Sequence, residues 1–179
     1  MQFMSSWAAD NKRTLLHFSK STLEIFCQHV QASDSAGEAG GLLLGSVHGS
    51  HMLIEQATVP TAWDKRFRYL FERMPFGHEA TALARWMASH GTIRYLGEWH
   101  THPEDNPSPS SLDRSEWNSL SAKRWDKRPM LAVIVGRKSM DLQRNLWVVF
   151  RVCELPRTCP RGIGAVSGRW HRRPLAVIR

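Results

Sequence analysis

Long apolar segments, paired cysteines and an acidic C-terminus are all missing from this sequence of 179 residues. No apolar run approaches the roughly 18 residues that a membrane-spanning helix requires. The N-terminus has no basic segment followed by a long apolar one, so we expect no signal peptide. These absences predict a protein that neither crosses nor binds a membrane.

Cysteine is scarce, and the cysteines that are present are not arranged in pairs. Cys27, Cys153 and Cys159 are odd in number, and no CxxC motif occurs. This usage argues against a disulfide framework and against a zinc site built from cysteines. It favours a reducing compartment, so we predict that the protein is cytoplasmic.

Acidic residues are absent from the end of the chain. The formal net charge of the whole chain is +8. No acidic residue follows Glu154, whereas that segment carries six arginines: Arg157, Arg161, Arg169, Arg172, Arg173 and Arg179. A basic tail can bind nucleic acid or an acidic partner, but it can equally be a solvated terminus. Because no nucleic-acid-binding motif accompanies it, we do not predict binding to nucleic acid.

The residues that are present favour a folded domain. Hydrophobic residues make up 42% of the chain, and eight residues are tryptophan. Alternating or continuous apolar runs predict strands, and helical spacing predicts helices over 20–33, 78–90 and 111–123. The strands are predicted over 12–19, 40–49, 51–60, 66–73, 92–99, 129–136 and 145–152. This order predicts one α/β or α+β domain over 12–154, followed by a basic tail over 155–179.

One segment, GEWHTHPEDNPSPSSLD (97–113), combines features of a site. Side chains alternate along a strand, so His100 and His102 should share a face, roughly 7 Å apart. Pro103 ends the strand and turns the chain. Ser110 and Asp113 occupy the N-cap and N3 positions of the helix that follows.

Two imidazoles and one carboxylate are the protein ligands of many catalytic metal sites. They leave a fourth tetrahedral position open for water, as in catalytic zinc sites. Mononuclear iron oxygenases also use two histidines and one carboxylate, so iron is an alternative. Taken singly, each histidine has an ordinary structural role and Asp113 is an ordinary helix cap.

The order His-x-His-Pro and then Ser-x-x-Asp resembles the JAMM metalloproteases, which are also called MPN+ or JAB-domain proteins. The resemblance extends upstream to Glu38, which precedes the stretch Gly-Leu-Leu-Leu-Gly at 41–45. It covers about residues 15–150 and excludes the tail. It implies a JAB/MPN-like domain with a central mixed sheet flanked by about three helices.

The resemblance also implies a role for each residue of the motif. One zinc ion per chain would be held by His100, His102 and Asp113. Glu38 would be the general base that activates water and then protonates the leaving amine. Ser110 would donate a hydrogen bond to the developing oxyanion.

A second glutamate competes for the role of base. Glu98 lies two residues before His100, so on a regular strand it shares the face of the ligands. We predict that Glu38 is the base, because a residue from another segment can approach the open coordination position directly. Glu98 would then orient a ligand imidazole or pair with an arginine.

Within the family, the phrase around the histidines resembles short bacterial stand-alone members. Similar proteins are encoded in type II CBASS anti-phage operons, beside ubiquitin-activating-like and ubiquitin-conjugating-like enzymes. The resemblance implies a deubiquitinase-like isopeptidase that acts on the extended C-terminal tail of a ubiquitin-like or nucleotidyltransferase conjugate. Two alternatives are a non-catalytic MPN-like scaffold and a DNA-associated RadC-like member. The complete set of five motif residues argues against the scaffold, and no feature that recognises bases supports the RadC-like member.

Overall fold

The computed structural model of the protein describes residues 6–9, 14–124, 126, 128, 130–138, 140–144 and 148–152. The predicted basic tail, 155–179, lies outside these residues. In chain order the elements are β1 Ser6–Ala9, β2 Thr14–Phe18, α1 Lys20–His29, β3 Gly40–His48, β4 His51–Ala57, β5 Lys65–Phe67, β6 Leu70–Glu72, α2 His78–Ala88, β7 Arg94–Thr101, α3 Ser111–Lys123, β8 Leu131–Val135, β9 Met140–Arg144 and β10 Val148–Val152.

The main sheet has eight strands in the order β1-β2-β4-β3-β7-β8-β9-β10, and β5 and β6 form a separate hairpin. Strand β2 is parallel to β4 and β7 is parallel to β8, whereas the other neighbouring strands are antiparallel. The predicted mixed sheet with three helices is therefore confirmed. Strand β7, which carries His100 and leads directly into His102, has a hydrogen-bonded neighbour on each side.

Both faces of the sheet are covered near β8, whose five residues are all buried. Leu131, Val133 and Val135 belong to the larger apolar core, and Ala132 and Ile134 belong to a smaller one. A strand buried on both faces has a continuous apolar sequence, as LAVIV does. The prediction of a buried strand here is confirmed.

Helices α1 and α3 each bury an aromatic side chain in one of these cores. Helix α1 begins after Ser19, whose hydroxyl accepts the N–H of Thr22, and it places Phe26 5.0 Å from the ring of Trp99. Helix α3 buries Trp117 in the smaller core. Within the described residues, no helix combines the length and apolar character that crossing a bilayer demands.

Helix α2 forms as predicted, but its apolar side faces solvent. Of its residues only His78 is buried, whereas Leu83, Trp86 and Met87 are 57%, 51% and 62% exposed. Helical spacing of apolar residues therefore located the helix without revealing what its apolar side contacts.

Three predicted elements differ from the structure. The segment 66–73 is a hairpin of two short strands, and α1 ends at His29 instead of continuing to residue 33. After α1 the chain turns so that the amide of Gln31 can donate to the carbonyls of Ala36 and Arg68, at 3.0 and 2.9 Å. The strand predicted over 145–152 occupies 148–152, and it pairs with β9, a short polar strand that the sequence pattern did not predict.

Candidate metal centre and active site

The alternation of side chains along β7 separates the anchoring residues from the candidate ligands. Trp99 is 1% exposed, and its indole N–H donates to the carbonyl of Thr58 at 3.0 Å. The ring of His100 lies on the other side of the strand, where its centroid is 5.9 Å from that of Trp117. His102 follows the strand, and its N–H donates to the carbonyl of Val135 at 3.0 Å. Contacts on the core side therefore fix the strand that carries the histidines.

The proline-containing turn after His102 packs against the turn between β8 and β9. The N–H of Arg137 donates to the carbonyl of Glu104 at 2.7 Å, and that of Lys138 donates to the carbonyl of Asp105 at 3.0 Å. The side chains of Arg137 and Asp105 also form an ion pair at 2.9 Å. These contacts fix the path by which the chain returns to the histidines.

Helix α3 begins with the predicted capping box. The hydroxyl of Ser110 accepts the N–H of Asp113 at 3.1 Å, and the carboxylate of Asp113 accepts the N–H of Ser110 at 2.7 Å. The cap positions predicted for these two residues are confirmed. The cap holds the carboxylate of Asp113 in one position, so the same carboxylate can also serve as a metal ligand there.

The structure brings His100, His102 and Asp113 together as a group that could hold a metal ion. The two Nε2 atoms are 3.0 Å apart, and carboxylate oxygens of Asp113 lie 3.2 Å from that of His100 and 3.6 Å from that of His102. Ligands about 2.0–2.1 Å from a tetrahedral zinc ion are separated by about 3.3 Å. The donor atoms and their spacing therefore fit zinc.

The rings approach each other more closely than a regular strand would allow. Their centroids are 4.8 Å apart, because His102 lies just beyond the last residue of β7 and its ring tilts towards that of His100. The two side chains were expected to lie roughly 7 Å apart along a regular strand. The tilt brings their Nε2 atoms to 3.0 Å, which is close enough for both to coordinate one ion.

The protonation states also suit metal binding. Burial lowers the pKa of His102, and the nearby His100 lowers it further. Burial opposes ionisation of Asp113, but hydrogen bonds from His100 and from the hydroxyl and N–H of Ser110 outweigh it and hold the pKa well below its usual range. Neutral imidazole and ionised carboxylate are the forms that bind metal.

Glu38 lies buried beside this group, with 4% of its surface exposed. Burial raises the pKa of its carboxyl to about 8, and the negative charges of Asp113 and Glu104 add to the increase. The pairing of β3 with β7 brings it here: Gly40, two residues later, lies opposite His100 in the sheet. A carboxyl group with this environment and position can take up and release a proton close to neutral pH.

Thr101 joins the segment that carries Glu38 to the strand that carries the histidines. Its N–H donates to the carbonyl of Ala39 at 2.8 Å, and its hydroxyl oxygen accepts the N–H of Ala39 at 3.0 Å. The same hydroxyl donates to the side chain of Gln31 at 3.1 Å. Each candidate catalytic segment is therefore held in register with the other.

The backbone of Glu38 itself is held by the β5–β6 hairpin. Its N–H donates to the carbonyl of Phe67, and its carbonyl accepts from Nε of Arg66, both at 2.7 Å. A second guanidinium nitrogen of Arg66 donates to the carbonyl of Gly37 at 3.1 Å. Sequence reasoning did not identify Arg66, because its partners are backbone carbonyls that leave no side-chain signal.

Glycines before and after Glu38 allow the hairpin to approach. A Cβ atom on Gly37 would lie 3.0 Å from the carbonyl oxygen of Arg66, and one on Gly40 would lie 2.6 Å from the ring of Phe71. Larger residues would therefore push the hairpin away from the Glu38 segment. The glycines in GEAGG thus reflect close packing around the candidate base.

Of the two roles considered for Glu98, the structure shows the ion pair with an arginine. Its carboxylate pairs with the guanidinium of Arg73 at 2.7 Å, and both side chains are mostly buried.

Ser110 is exposed, and its hydroxyl donates to the carboxylate of Asp113 at 2.7 Å. That hydroxyl must rotate before it can donate to a substrate.

The fold and this group of residues define a JAB-type domain. Residues 19–149 match the prokaryotic homologs of the JAB domain, and the chain belongs to this family. The family resemblance inferred from the motif is confirmed.

The chain is similar to bacterial proteins named CD-NTase/cGAS isopeptidase. It is 84% identical to one from Pseudomonas aeruginosa over 143 residues, which cover 80% of this chain and 90% of that protein. It is 38% identical to one from Vibrio cholerae over 122 residues, or 65% of this chain and 75% of the relative. A solution structure from Desulfitobacterium hafniense shares the fold, with a TM-score of 0.52, 19% identity and coverage of 76% of this chain and 89% of that one.

Proposed function

We propose that this protein is a zinc-dependent isopeptidase that hydrolyses the amide bond between a target and the C-terminus of a CD-NTase or a ubiquitin-like protein. The observation that carries the proposal is the convergence of His100, His102 and Asp113 beside the buried Glu38. The names of the relatives support both the reaction and the nucleotidyltransferase as the conjugated protein.

His100, His102 and Asp113 would hold one zinc ion per chain. When bound, zinc supplies Lewis acidity that activates water and polarises the scissile carbonyl. The three residues contribute two neutral imidazole nitrogens and one anionic oxygen, which leave a position open for water or substrate. The distances of 3.0, 3.2 and 3.6 Å between their donor atoms support this assignment.

Glu38 would act as general base and then as general acid. Its carboxylate accepts a proton from the attacking water while the water oxygen bonds to the carbonyl carbon. It then returns that proton to the amine nitrogen as the carbon–nitrogen bond breaks, which leaves a free amine and a carboxylate. Its raised pKa suits both steps, because a group that titrates near neutral pH can accept and donate a proton.

Ser110 would stabilise the oxygen of the tetrahedral intermediate. Its side chain is exposed at the start of α3, directly beside the ligand Asp113. Rotation of its hydroxyl away from the Asp113 carboxylate would aim the proton at a substrate oxygen. One such donor is worth a few kcal/mol to the transition state.

The substrate would be a protein with an extended C-terminal tail. The hairpin that holds Glu38 exposes aromatic side chains, with Phe67 55% and Tyr69 72% exposed, and these offer apolar surface next to the base. Partners in the same operon would include ubiquitin-activating-like and ubiquitin-conjugating-like enzymes. The biological setting would be deconjugation during anti-phage defence of the CBASS type.

A fusion of a CD-NTase with a reporter at its C-terminus tests this proposal. We expect the zinc-loaded protein to cut at the junction, and mass spectrometry should find the intact nucleotidyltransferase C-terminus. The Glu38→Gln variant should leave the fusion uncut. If the wild-type protein with zinc leaves both this fusion and a ubiquitin-like fusion intact, the proposed activity is wrong.

A further inference from the structure

A cavity lies far from the candidate metal centre. A cavity of about 280 Å³ opens between the β3–β4 turn, the start of β7 and the segment after α3. It is lined by Gly49, Ser50, Arg94, Tyr95, Arg124 and Arg128, among others. The path along β7 from Arg94 to His100 is about 20 Å, and the path along α3 from Asp113 to Arg124 is about 16 Å. The cavity is therefore separate from the peptidase site.

The lining carries an excess of positive charge. Three arginines face the cavity, and Asp126 supplies one carboxylate beside them, pairing with Arg124 at 2.9 and 2.8 Å. In the part of the chain that the structure describes, no ion pair involves Arg94 or Arg128. Three guanidinium groups against one carboxylate leave two positive charges unbalanced, so the cavity favours an anion.

Among the described residues, two guanidinium N–H groups of these lining arginines are buried and have no hydrogen-bond acceptor: Nε of Arg94 and Nη1 of Arg124. The Nη2 atom of Arg94 donates to the carbonyl of Gly91 at 3.1 Å, and the Arg124 guanidinium lies 5.3 Å from the centre of the Tyr95 ring. Both side chains are thus held in place while one donor of each stays unsatisfied. Buried polar groups normally have partners, so these two donors point to a ligand that supplies acceptor oxygens.

We propose that this cavity binds the phosphate group of a small molecule. Guanidinium groups match phosphate oxygens in geometry and charge, and several converging arginines favour a multiply charged anion over a single carboxylate. The volume of about 280 Å³ corresponds to roughly nine water molecules, which leaves room for a group attached to the phosphate. Small shifts of the Arg94 and Arg124 side chains would bring their unsatisfied donors onto the phosphate oxygens.

Calorimetric titration of the full-length, zinc-loaded protein at constant ionic strength tests the proposal. The probes are inorganic phosphate and adenosine 5′-monophosphate. We expect saturable binding of at least one probe, weakened tenfold or more in the Arg94→Gln/Arg124→Gln variant. Equal affinity for both probes means that the phosphate group alone is recognised. Tighter binding of the nucleotide means that the cavity also accommodates the attached group.

Two controls distinguish this cavity from other basic or metal-binding parts of the chain. Arg172→Gln/Arg173→Gln removes the same charge from the tail and should leave binding unchanged, and circular dichroism checks the fold of each variant. Arg128 is exposed, so Arg128→Gln should keep the fold. It should weaken binding, and it therefore tests the proposal even if Arg94→Gln/Arg124→Gln does not fold. The proposal is wrong if neither probe binds saturably, or if binding survives Arg128→Gln at full strength. It is also wrong if binding is lost in the tail variant Arg172→Gln/Arg173→Gln or in His102→Ala.

Discussion

The guanidinium Nε of Arg66 lies 2.7 Å from the carbonyl oxygen of Glu38. The candidate base is thus held through its main chain by a residue of the hairpin, and its carboxylate remains available for chemistry. The N–H of Glu38 donates to the same hairpin at Phe67, so its peptide groups on both sides have hairpin partners. The position of the base therefore depends on a short element outside the main sheet.

Removing the Arg66 side chain should slow catalysis while zinc stays bound. In Arg66→Ala the carbonyls of Gly37 and Glu38 lose their donor, and misplacement of a catalytic group by about 1 Å can lower the rate by about 100-fold. We expect kcat to fall about tenfold to hundredfold with little change in KM. Steady-state kinetics, together with zinc analysis, measures both.

Variants at neighbouring positions make this test specific. Arg66→Lys can still donate to one carbonyl, so it should recover part of the lost rate. Lys65→Ala removes an exposed ion pair with Glu72 on the same hairpin and should change kcat by less than about twofold. An Arg66→Ala protein with normal kcat would show that the hairpin does not position the base.

Loss of either histidine should abolish zinc binding. Outer partners of metal ligands typically contribute 10–100-fold to affinity, so loss of a ligand in His100→Ala or His102→Ala should cost about 100-fold or more. Inductively coupled plasma mass spectrometry of protein purified without chelator gives the zinc content per chain. His48→Ala, at an exposed histidine, should retain one zinc. A His102→Ala protein that holds zinc as tightly as the wild type would refute the ligand assignment.

Glu38 and Glu98 should differ in single-turnover assays. Glu38→Ala should keep zinc and fold and lose at least 100-fold in rate, within the 10²–10⁴ range typical of general acid–base groups. Glu98→Ala leaves Arg73 without its carboxylate partner but removes no candidate metal ligand, so it should keep zinc and lose less rate than Glu38→Ala. Near-normal cleavage by Glu38→Ala, together with an inactive Glu98→Ala, would reverse the assignment.

Asp64 should stabilise the fold in a pH-dependent way. Burial opposes its ionisation, but hydrogen bonds from Thr61 and Met74 and from the buried His78 outweigh it and hold its pKa below the usual range. Such a group contributes its full stabilisation at a pH above its pKa in the unfolded chain, which is about 3.9 for aspartate. The stabilisation is lost as the pH falls through the lower pKa that the group has in the folded protein. The difference in unfolding free energy between the wild type and Asp64→Asn should therefore shrink from pH 7 to pH 3.

Urea unfolding in the presence of chelator measures that difference without a contribution from metal binding. Glu24→Gln, at an exposed carboxylate, serves as the control and should differ little from the wild type at either pH. A wild-type advantage over Asp64→Asn that stays constant from pH 7 to pH 3 would contradict the prediction.

The basic tail should be dispensable for hydrolysis of a small peptide substrate. It carries six arginines and no acid after Glu154, which suits recruitment of an acidic partner. Truncation after residue 156 should leave kcat/KM for the peptide unchanged and weaken cleavage of a protein conjugate. A collapse in solubility or in peptide cleavage would show instead that the tail is needed for the fold of the domain.

Local sequence was sufficient to predict which residues form the candidate metal-binding group and the helix cap. His100, His102, Ser110 and Asp113 lie within one short segment in which strand alternation and cap chemistry fix the directions of the side chains. The position of Glu38 depends on pairing between β3 and β7, which no local pattern reveals. The family resemblance, and not periodicity, placed Glu38 at the site.

Contacts through the main chain could not be predicted from residue identities. Arg66 and Phe67 hold Glu38 through peptide groups, which every residue has, so their sequence carries no mark of that role. Likewise, the spacing of Leu83 and Trp86 predicted α2 but not its exposed apolar side, because periodicity does not reveal what covers a helix.

The two halves of the active site are anchored unequally. His100 belongs to β7 and His102 follows it directly. Strand β7 is paired on both sides within an eight-stranded sheet, whereas the backbone of Glu38 is held by a two-stranded hairpin. Isolated two-stranded hairpins are marginally stable, and proteins open locally at such elements well before they unfold globally. A molecule with its hairpin detached would still chelate its ion but could not shuttle a proton. Gentle heating or low urea should therefore yield a population that is fully metallated and enzymatically silent.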